Sequence, residues 1–279
     1  MKKKLKVLDI FSGIGGFSLG LKRTSGFETV CYIEIEPYCQ EILKARMLDG
    51  SLDLAPTWDD IRKFDGRPWR GKADLVCGGF PCQDISILGK GVGLSGEKSG
   101  LWREMERVIG EVRPRFVLVE NVPALTFRGG TRVITGLTRL GYDTEWTVIP
   151  AAAVGAPHLR ERIWILAYSM SQLSYLGRRK YMGKENKNET TSGDDSDIDC
   201  FLSQWRTIFA EGRQDESGEK QLSRFPFPSL RTTVSIARVY RADHGISARM
   251  DARRNQALGN AIIPQIVEWI GNRILENNS

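Results

Sequence analysis

The sequence predicts an α/β fold: a mostly parallel sheet covered by helices on both faces, with a smaller second lobe. Two observations predict it. Over residues 1–168, short apolar runs of strand length alternate with longer amphipathic segments, as in repeated strand–helix units. Glycine or proline clusters follow several of those runs, as at Gly13-Ile-Gly-Gly16, Gly78-Gly-Phe-Pro81 and Val122-Pro123, where a chain leaves a strand for a turn. Residues 6–10 read as the first strand, followed by a glycine-rich turn and an amphipathic stretch. Residues 28–35 read as the second, with Pro37 where a first helical turn tolerates a missing N–H. Residues 74–77 form a short strand ending in Gly78-Gly79, and 101–112 have helical spacing stopped by Pro114. Residues 116–119 and 163–167 are further buried strands, and 262–275 a closing amphipathic helix interrupted near Pro264. In such sheets ligands bind outside the carboxyl ends of the strands, so those ends hold the candidates for chemistry.

The 279 residues are enough for one full α/β core and a small second lobe. A net charge of +6 favours a polyanionic partner. The five cysteines (Cys31, Cys39, Cys77, Cys82, Cys200) are odd in number and form no CxxC pair. This argues against a disulfide framework or a zinc site and for a reduced, cytoplasmic setting. No apolar run approaches a signal peptide or a membrane span. After Tyr168 the composition turns polar to about Phe225, least hydrophobic over 184–197, and globular patterning returns near Val234. The expected division is therefore a catalytic and cofactor-binding domain over 1–168, a variable lobe over 169–233 with at least one long loop, and a return segment over 234–279 that completes the first domain.

Six blocks carry chemistry. Asp9-Ile-Phe11-Ser-Gly13-Ile14-Gly15-Gly16 offers glycines for close backbone approach and an aromatic ring that could stack on a purine, although a tight strand–helix turn needs the same glycines. Glu34, about 20 positions later, suits hydrogen bonding to ribose hydroxyls; Glu36 competes with it. Asp60, before Ile61, is a third contact of this kind or a surface acid. In Gly78-Gly-Phe80-Pro81-Cys82-Gln83 a cysteine follows a strand end, fixed by proline, as a nucleophile would. Glu120-Asn121-Val122 ends the next strand, where its carboxyl can reach the same crevice. Arg160 and Arg162, two apart on an extended segment, point the same way and can clamp a phosphate or carbonyl oxygen. Gly259-Asn260 precedes the last helix, as a binding turn or a cap.

Together and in this order, these blocks resemble the cytosine-5 DNA methyltransferase family over residues 5–168 and 236–275, most diagnostically at Phe80-Pro-Cys-Gln83, Glu120-Asn-Val122, Arg160-x-Arg162 and Gly259-Asn260-x-x-x-Pro264. The resemblance implies a Rossmann-like S-adenosylmethionine-dependent methyltransferase fold with a small target-recognition lobe. It implies that Phe11 stacks on the cofactor adenine, that the backbone at Gly13, Ile14 and Gly15 holds the methionine part, and that Glu34 binds the ribose. Asp60, with Ile61 beside it, would take the adenine amino group, while Leu101 and Asn260 line the pocket. Cys82 would attack carbon 6 of cytosine, Glu120 would bond the ring nitrogen and exocyclic amine, and Arg162 would contact the base oxygen. Arg160 would brace the cysteine loop or a phosphate. No metal is implied, and the proton on carbon 5 leaves to solvent.

Attack above the ring plane requires the base to be flipped out of double-stranded DNA. The stretch 84–100, with Gly89, Gly91, Gly93, Gly96, Gly100, Lys90 and Lys98, suits a lid beside the nucleophile. Departures from the family pattern are His158 in place of the usual Gln, Glu36 in place of the commoner Asp, and a short variable region whose basic residues include Arg178, Arg179, Lys180, Lys184, Arg206 and Arg224. Two alternatives are an RNA (tRNA) cytosine-5 methyltransferase and a catalytically inactive DNA-binding regulatory module. The first is disfavoured because Cys200-Phe201-Leu202 is not the Cys-Phe-Thr of that group; the second because Cys82, Glu120 and Arg162 are all present. A monomer is expected, and a cognate restriction endonuclease would be a partner in the same system without direct contact.

Overall fold

The computed structural model describes residues 3–81, 100–156, 158–170 and 256–277. Among them, β1 (Leu5–Ile10), β2 (Phe27–Ile33), β3 (Thr57–Trp58), β4 (Leu75–Gly78), β5 (Phe116–Asn121), β6 (Tyr142–Pro150) and β7 (Glu161–Ser169) make one sheet in the order β3-β2-β1-β4-β5-β7-β6. The pairs β1–β2, β1–β4, β2–β3 and β4–β5 are parallel; β7 runs antiparallel to β5 and β6. The chain winds outward from β1 to β3, then crosses back to β4. The strand order therefore reverses between β1 and β4, and a crevice opens at their carboxyl ends. At that point a side chain on Gly78 would lie 2.4 Å from the Ile10 carbonyl oxygen, so only glycine lets the two strands run this close.

Alternate residues of each strand go to opposite faces, and both faces are buried. Leu8, Ile10, Val76, Val117, Val119, Ile163 and Ile165 face Trp102, Met105, Val108, Ile109 and Val112 of α3 (Leu101–Val112) and Val133 and Leu137 of α5 (Gly130–Arg139). Val7, Leu75, Cys77, Leu118, Trp164 and Leu166 face Phe17 and Leu21 of α1 (Gly16–Arg23) and Ile266, Val267, Ile270 and Ile274 of α6 (Pro264–Asn277). Further helices include α2 (Pro37–Leu48), opened by Pro37 at its first turn, and the single turn α4 (Leu125–Arg128). The α3 helix ends where Arg113 takes a left-handed conformation ahead of Pro114.

Helices α1 and α6 pack closely because α1 carries Gly16 and Gly20 on one face. A Cβ at Gly20 would stand 2.4 Å from the Pro264 carbonyl oxygen and 2.6 Å from Val267 Cβ. Alanine is otherwise the better helix former by about 1 kcal/mol, so the sign of Gly20→Ala is informative. We expect it to destabilise by about 2 kcal/mol through overpacking, a fall in Tm of roughly 4–8 °C, read by calorimetry. An unchanged or raised Tm would show the contact to be loose.

Several features differ from the sequence expectation, among them β3 and α5, for which it has no element. The second strand ends at Ile33 rather than 35, because Glu34 turns its carboxylate back onto the neighbouring backbone. Strand β6 is absent from that expectation, because Asp143 and Glu145 interrupt its apolar pattern. Glu145 is nonetheless buried, with Tyr168 Oη donating to its carboxylate, and burial pushes its carboxyl up to about 7. Pro264 opens the closing helix instead of interrupting it, while Ile262 and Ile263 pack on the core ahead of it. The expected variable lobe and lid fall outside the described residues.

Candidate active site

The crevice between β1 and β4 is a cleft of about 600 Å³. On one side the first turn builds a rigid wall. Phe11, with φ +55, leaves β1 in the left-handed region. Ser12 then staples the turn: its N–H donates to the Ile33 carbonyl at 3.1 Å and its Oγ to the Asp9 carbonyl at 2.6 Å. That staple brings the end of β2 alongside. Glu34 Oε2 accepts from Gly13 N at 2.7 Å, and Oε1 accepts from Glu36 N at 2.8 Å. Burial raises the Glu34 carboxyl and these backbone donors oppose the rise. Both oxygens are thus oriented, each with capacity for a ligand hydroxyl.

Asp60 stands on the same wall. Its side chain accepts from the Arg62 backbone N–H at 3.0 Å and from the Arg62 guanidinium at 2.9–3.1 Å, which holds its carboxyl below the usual range. The cleft lining brings together Phe11, Gly13, Glu34, Asp60, Ile61, Leu101 and Asn260. Ile14 and Gly15 stand behind it. The Ile14 side chain packs with Cys39 and Ala257, and the Gly15 N–H is spent on the Ser12 carbonyl at 2.8 Å. Glu36 and Ile35 also line the cleft, so the expected competition between Glu34 and Glu36 resolves as one pinned, buried acid beside a more exposed one.

The opposite side holds Glu120 at the carboxyl end of β5. Its Oε1 makes a 2.8 Å ion pair with Arg162 Nε. The residue is 8% exposed, and burial pushes its carboxyl up to about 7 while Arg162 and Arg160 pull it down. A Cβ on Gly79 would sit 2.9 Å from Glu120 Oε2, so glycine there makes room for the acid. Asn121 donates from Nδ2 to the Phe80 carbonyl at 3.0 Å, and the Phe80 ring packs on Trp102 with centroids 5.4 Å apart. The chain is therefore fixed up to Pro81, which also lines the cleft. Cys82 lies outside the described residues.

Arg160 lines the cleft and donates to the carbonyls of Gly259 and Ala261. His158 is exposed and does not line it. Sequence reasoning missed Asn121, Gly79 and Arg62 as positioning groups. Asn121 and Gly79 stood inside quoted motifs, yet their roles depend on contacts across the sheet. Among the described residues no cluster of three or more His, Cys, Asp or Glu could hold a metal, and no helix is long and apolar enough to cross a membrane.

Fold and cleft together define the class: a Rossmann-like methyltransferase fold. The family model for C-5 cytosine-specific DNA methylases matches residues 5–215, and the chain belongs to that family. It is 31% identical over 163 residues to the Type II methyltransferase M.CviJI of Paramecium bursaria Chlorella virus IL3A, covering 58% of this chain and 42% of that one. It is 36% identical over 171 residues to M1.HphI of Haemophilus parahaemolyticus, covering 57% and 44%. The matched stretches thus span less than half the length of these relatives. Among solved structures, a prophage-encoded protein of E. coli described as a DNA modification methyltransferase superposes with a TM-score of 0.50 at 25% identity, over 61% of this chain and 48% of that one. Spodoptera frugiperda DNMT2 superposes with a TM-score of 0.51 at 17% identity, over 68% and 56%, which shows the shared fold.

Proposed function

We propose that the chain methylates carbon 5 of cytosine in double-stranded DNA, using S-adenosylmethionine. One observation carries the reading: a single cleft joins the Phe11–Glu34–Asp60 wall to the Glu120–Arg162 pair, with Pro81 between them leading to Cys82. The first wall fits the cofactor's adenosine part. It offers an aromatic face at Phe11, a pinned carboxylate for ribose hydroxyls at Glu34 and a second carboxylate for an amino group at Asp60. Leu101 and Asn260 complete it. When bound, S-adenosylmethionine supplies an electrophilic methyl group.

On the other side, the Cys82 thiolate adds to carbon 6 of a flipped cytosine, and the ring electrons move toward carbon 5 and the ring nitrogen. Glu120, protonated, donates to that nitrogen as negative charge develops. Arg162, already oriented by Glu120, meets the base oxygen. Once carbon 5 carries the methyl group, loss of its proton to solvent, return of the ring-nitrogen proton to Glu120 and breakage of the S–C6 bond restore the thiolate, the acid and the aromatic base. Residues 169–233 are assigned to target recognition, and the similarity to Type II methyltransferases supports a Type II modification role.

The test supplies radiolabelled S-adenosylmethionine with parallel duplex DNA and RNA substrates and identifies the product by mass spectrometry. We expect 5-methylcytosine in DNA and a denaturant-resistant complex with DNA containing 5-fluorocytosine. Product in RNA alone would reassign the substrate, and cofactor binding with neither product would mark a regulatory module.

A further inference from the structure

We propose that Arg160 is a positioning residue for the cofactor wall, fastening the Asn260 turn, and does not serve as a contact to the DNA backbone. The inference rests on the reading of the cleft as a site for S-adenosylmethionine. Arg160 sits in the extended segment entering β7, with φ +26, a backbone conformation that side-chain-bearing residues rarely adopt. Its guanidinium donates from Nη1 to the Gly259 carbonyl at 2.7 Å and from Nη2 to the Ala261 carbonyl at 2.9 Å, across 99 and 101 residues of chain. Those two carbonyls flank Asn260, which lines the cleft. A planar fork that bridges both neighbours of one residue fixes that residue's backbone in a way a single donor cannot.

The far side of the turn is fastened too. A Cβ at Gly16 would come within 2.7 Å of Ile262 Cβ, so Ile262 is seated directly on α1. The turn around Asn260 is thus held by an apolar peg on one side and a charged fork on the other. Within the turn, Asn260 N donates to the Gln256 carbonyl at 3.0 Å and Ala261 N to the Leu258 carbonyl at 3.2 Å, and at Gly259, where one arm of the fork ends, no described atom stands within 4 Å of where a Cβ would be. Two residues further on, inside β7, Arg162 pairs with Glu120. The Arg-x-Arg pair therefore divides its work, with one arginine fastening the cofactor wall and the other serving the base side.

Arg160→Lys keeps the charge and loses the fork, which separates this role from a phosphate contact. Using the full chain, the Kd for S-adenosylhomocysteine would be measured calorimetrically without DNA. Duplex DNA affinity would be measured across a salt series. We expect the Kd to weaken about tenfold, and the KM for S-adenosylmethionine to rise with it. The DNA affinity and its salt slope should stay close to wild type. Ile262→Ala, which loosens the same turn from the α1 side, should shift the Kd in the same direction. The proposal is overturned if Arg160→Lys binds S-adenosylhomocysteine as wild type does and Arg160→Ala lowers the DNA salt slope by about one. Wild-type protein that binds no S-adenosylhomocysteine would overturn the reading of the cleft itself, and the fork's role with it.

Discussion

Glu120→Gln should slow methyl transfer about 100- to 1,000-fold while leaving DNA affinity within a few-fold of wild type. The amide preserves the size of the side chain, can donate to a ring nitrogen and can accept from an amine. It cannot give up a proton as charge grows on the ring. The native acid is tuned for proton donation, because burial pushes its carboxyl up to about 7 against the opposing pull of Arg162 and Arg160. Near neutral pH a substantial share of the molecules therefore hold the proton. The sign follows directly. Wild-type turnover should fall as pH rises through about 7 and Glu120 ionises, and this limb should be missing in Glu120→Gln. Stability moves in the same sense. The folded-state carboxyl titrates above its ordinary 4.5, so its contribution is fully present below that value and lost as pH rises through about 7. Single-turnover rates across a pH series from roughly two units below that value to two units above it check the first claim. A Gln variant within about tenfold of wild type, or a wild-type profile with no break near 7, would remove the acid from the mechanism.

The parts of this site that could be read from sequence are those that local chain chemistry specifies. The Gly13–Gly16 turn, Pro37 and the 101–112 helix were legible because each is punctuated by its own glycine or proline. Glu34, Glu120 and Arg162 were legible because each stands at or beside a strand terminus, where an α/β sheet exposes chemistry. What escaped depends on residues far apart in sequence. Asn121 gains its role only because β5 lies beside β4 and its amide reaches the Phe80 carbonyl 41 residues away. Arg160 reads in sequence as a clamp for a phosphate or a carbonyl oxygen, or a brace for the cysteine loop, and the chain gives no sign that its fork closes on two carbonyls about 100 residues downstream. The motif places the backbone at Ile14 and Gly15 at the cofactor; what the chain alone does not show is that the Ile14 side chain packs with Cys39 and Ala257 and that the Gly15 N–H donates to the Ser12 carbonyl. Strand β6 was hidden by Asp143 and Glu145, and only the antiparallel β7 beside it supplies the Tyr168 hydroxyl that makes a buried Glu145 tolerable.

Cys82→Ser should abolish methyl transfer, by at least about 1,000-fold, and with it all trapping on 5-fluorocytosine DNA. The argument starts from the residue before it. Pro81 lines the cleft, and Phe80 is fixed by Asn121 and Trp102, so residue 82 begins one peptide unit, about 3.8 Å in Cα spacing, beyond a rigid point on the cleft wall. The described cysteines are poor competitors. Burial pushes the thiols of Cys31 and Cys39 up to about 12 and that of Cys77 well above the ordinary range, with nearby carboxylates adding to the rise. None of the three is a thiolate at neutral pH, and a thiol without its charge is a poor nucleophile. Serine fails for a related reason: its hydroxyl ionises in the range of water, roughly seven units above a free thiol's ~8.5. Its oxygen would reach the same place with almost none of the reactive form. Denaturing electrophoresis of wild type, Cys82→Ser and Cys200→Ser on the fluorinated duplex checks this, with S-adenosylhomocysteine binding as the measure of intact folding. Wild type and Cys200→Ser should trap and Cys82→Ser should not. A trapped Cys82→Ser protein would move the nucleophile elsewhere in the chain, while loss of trapping with cofactor binding intact would place the covalent step at residue 82.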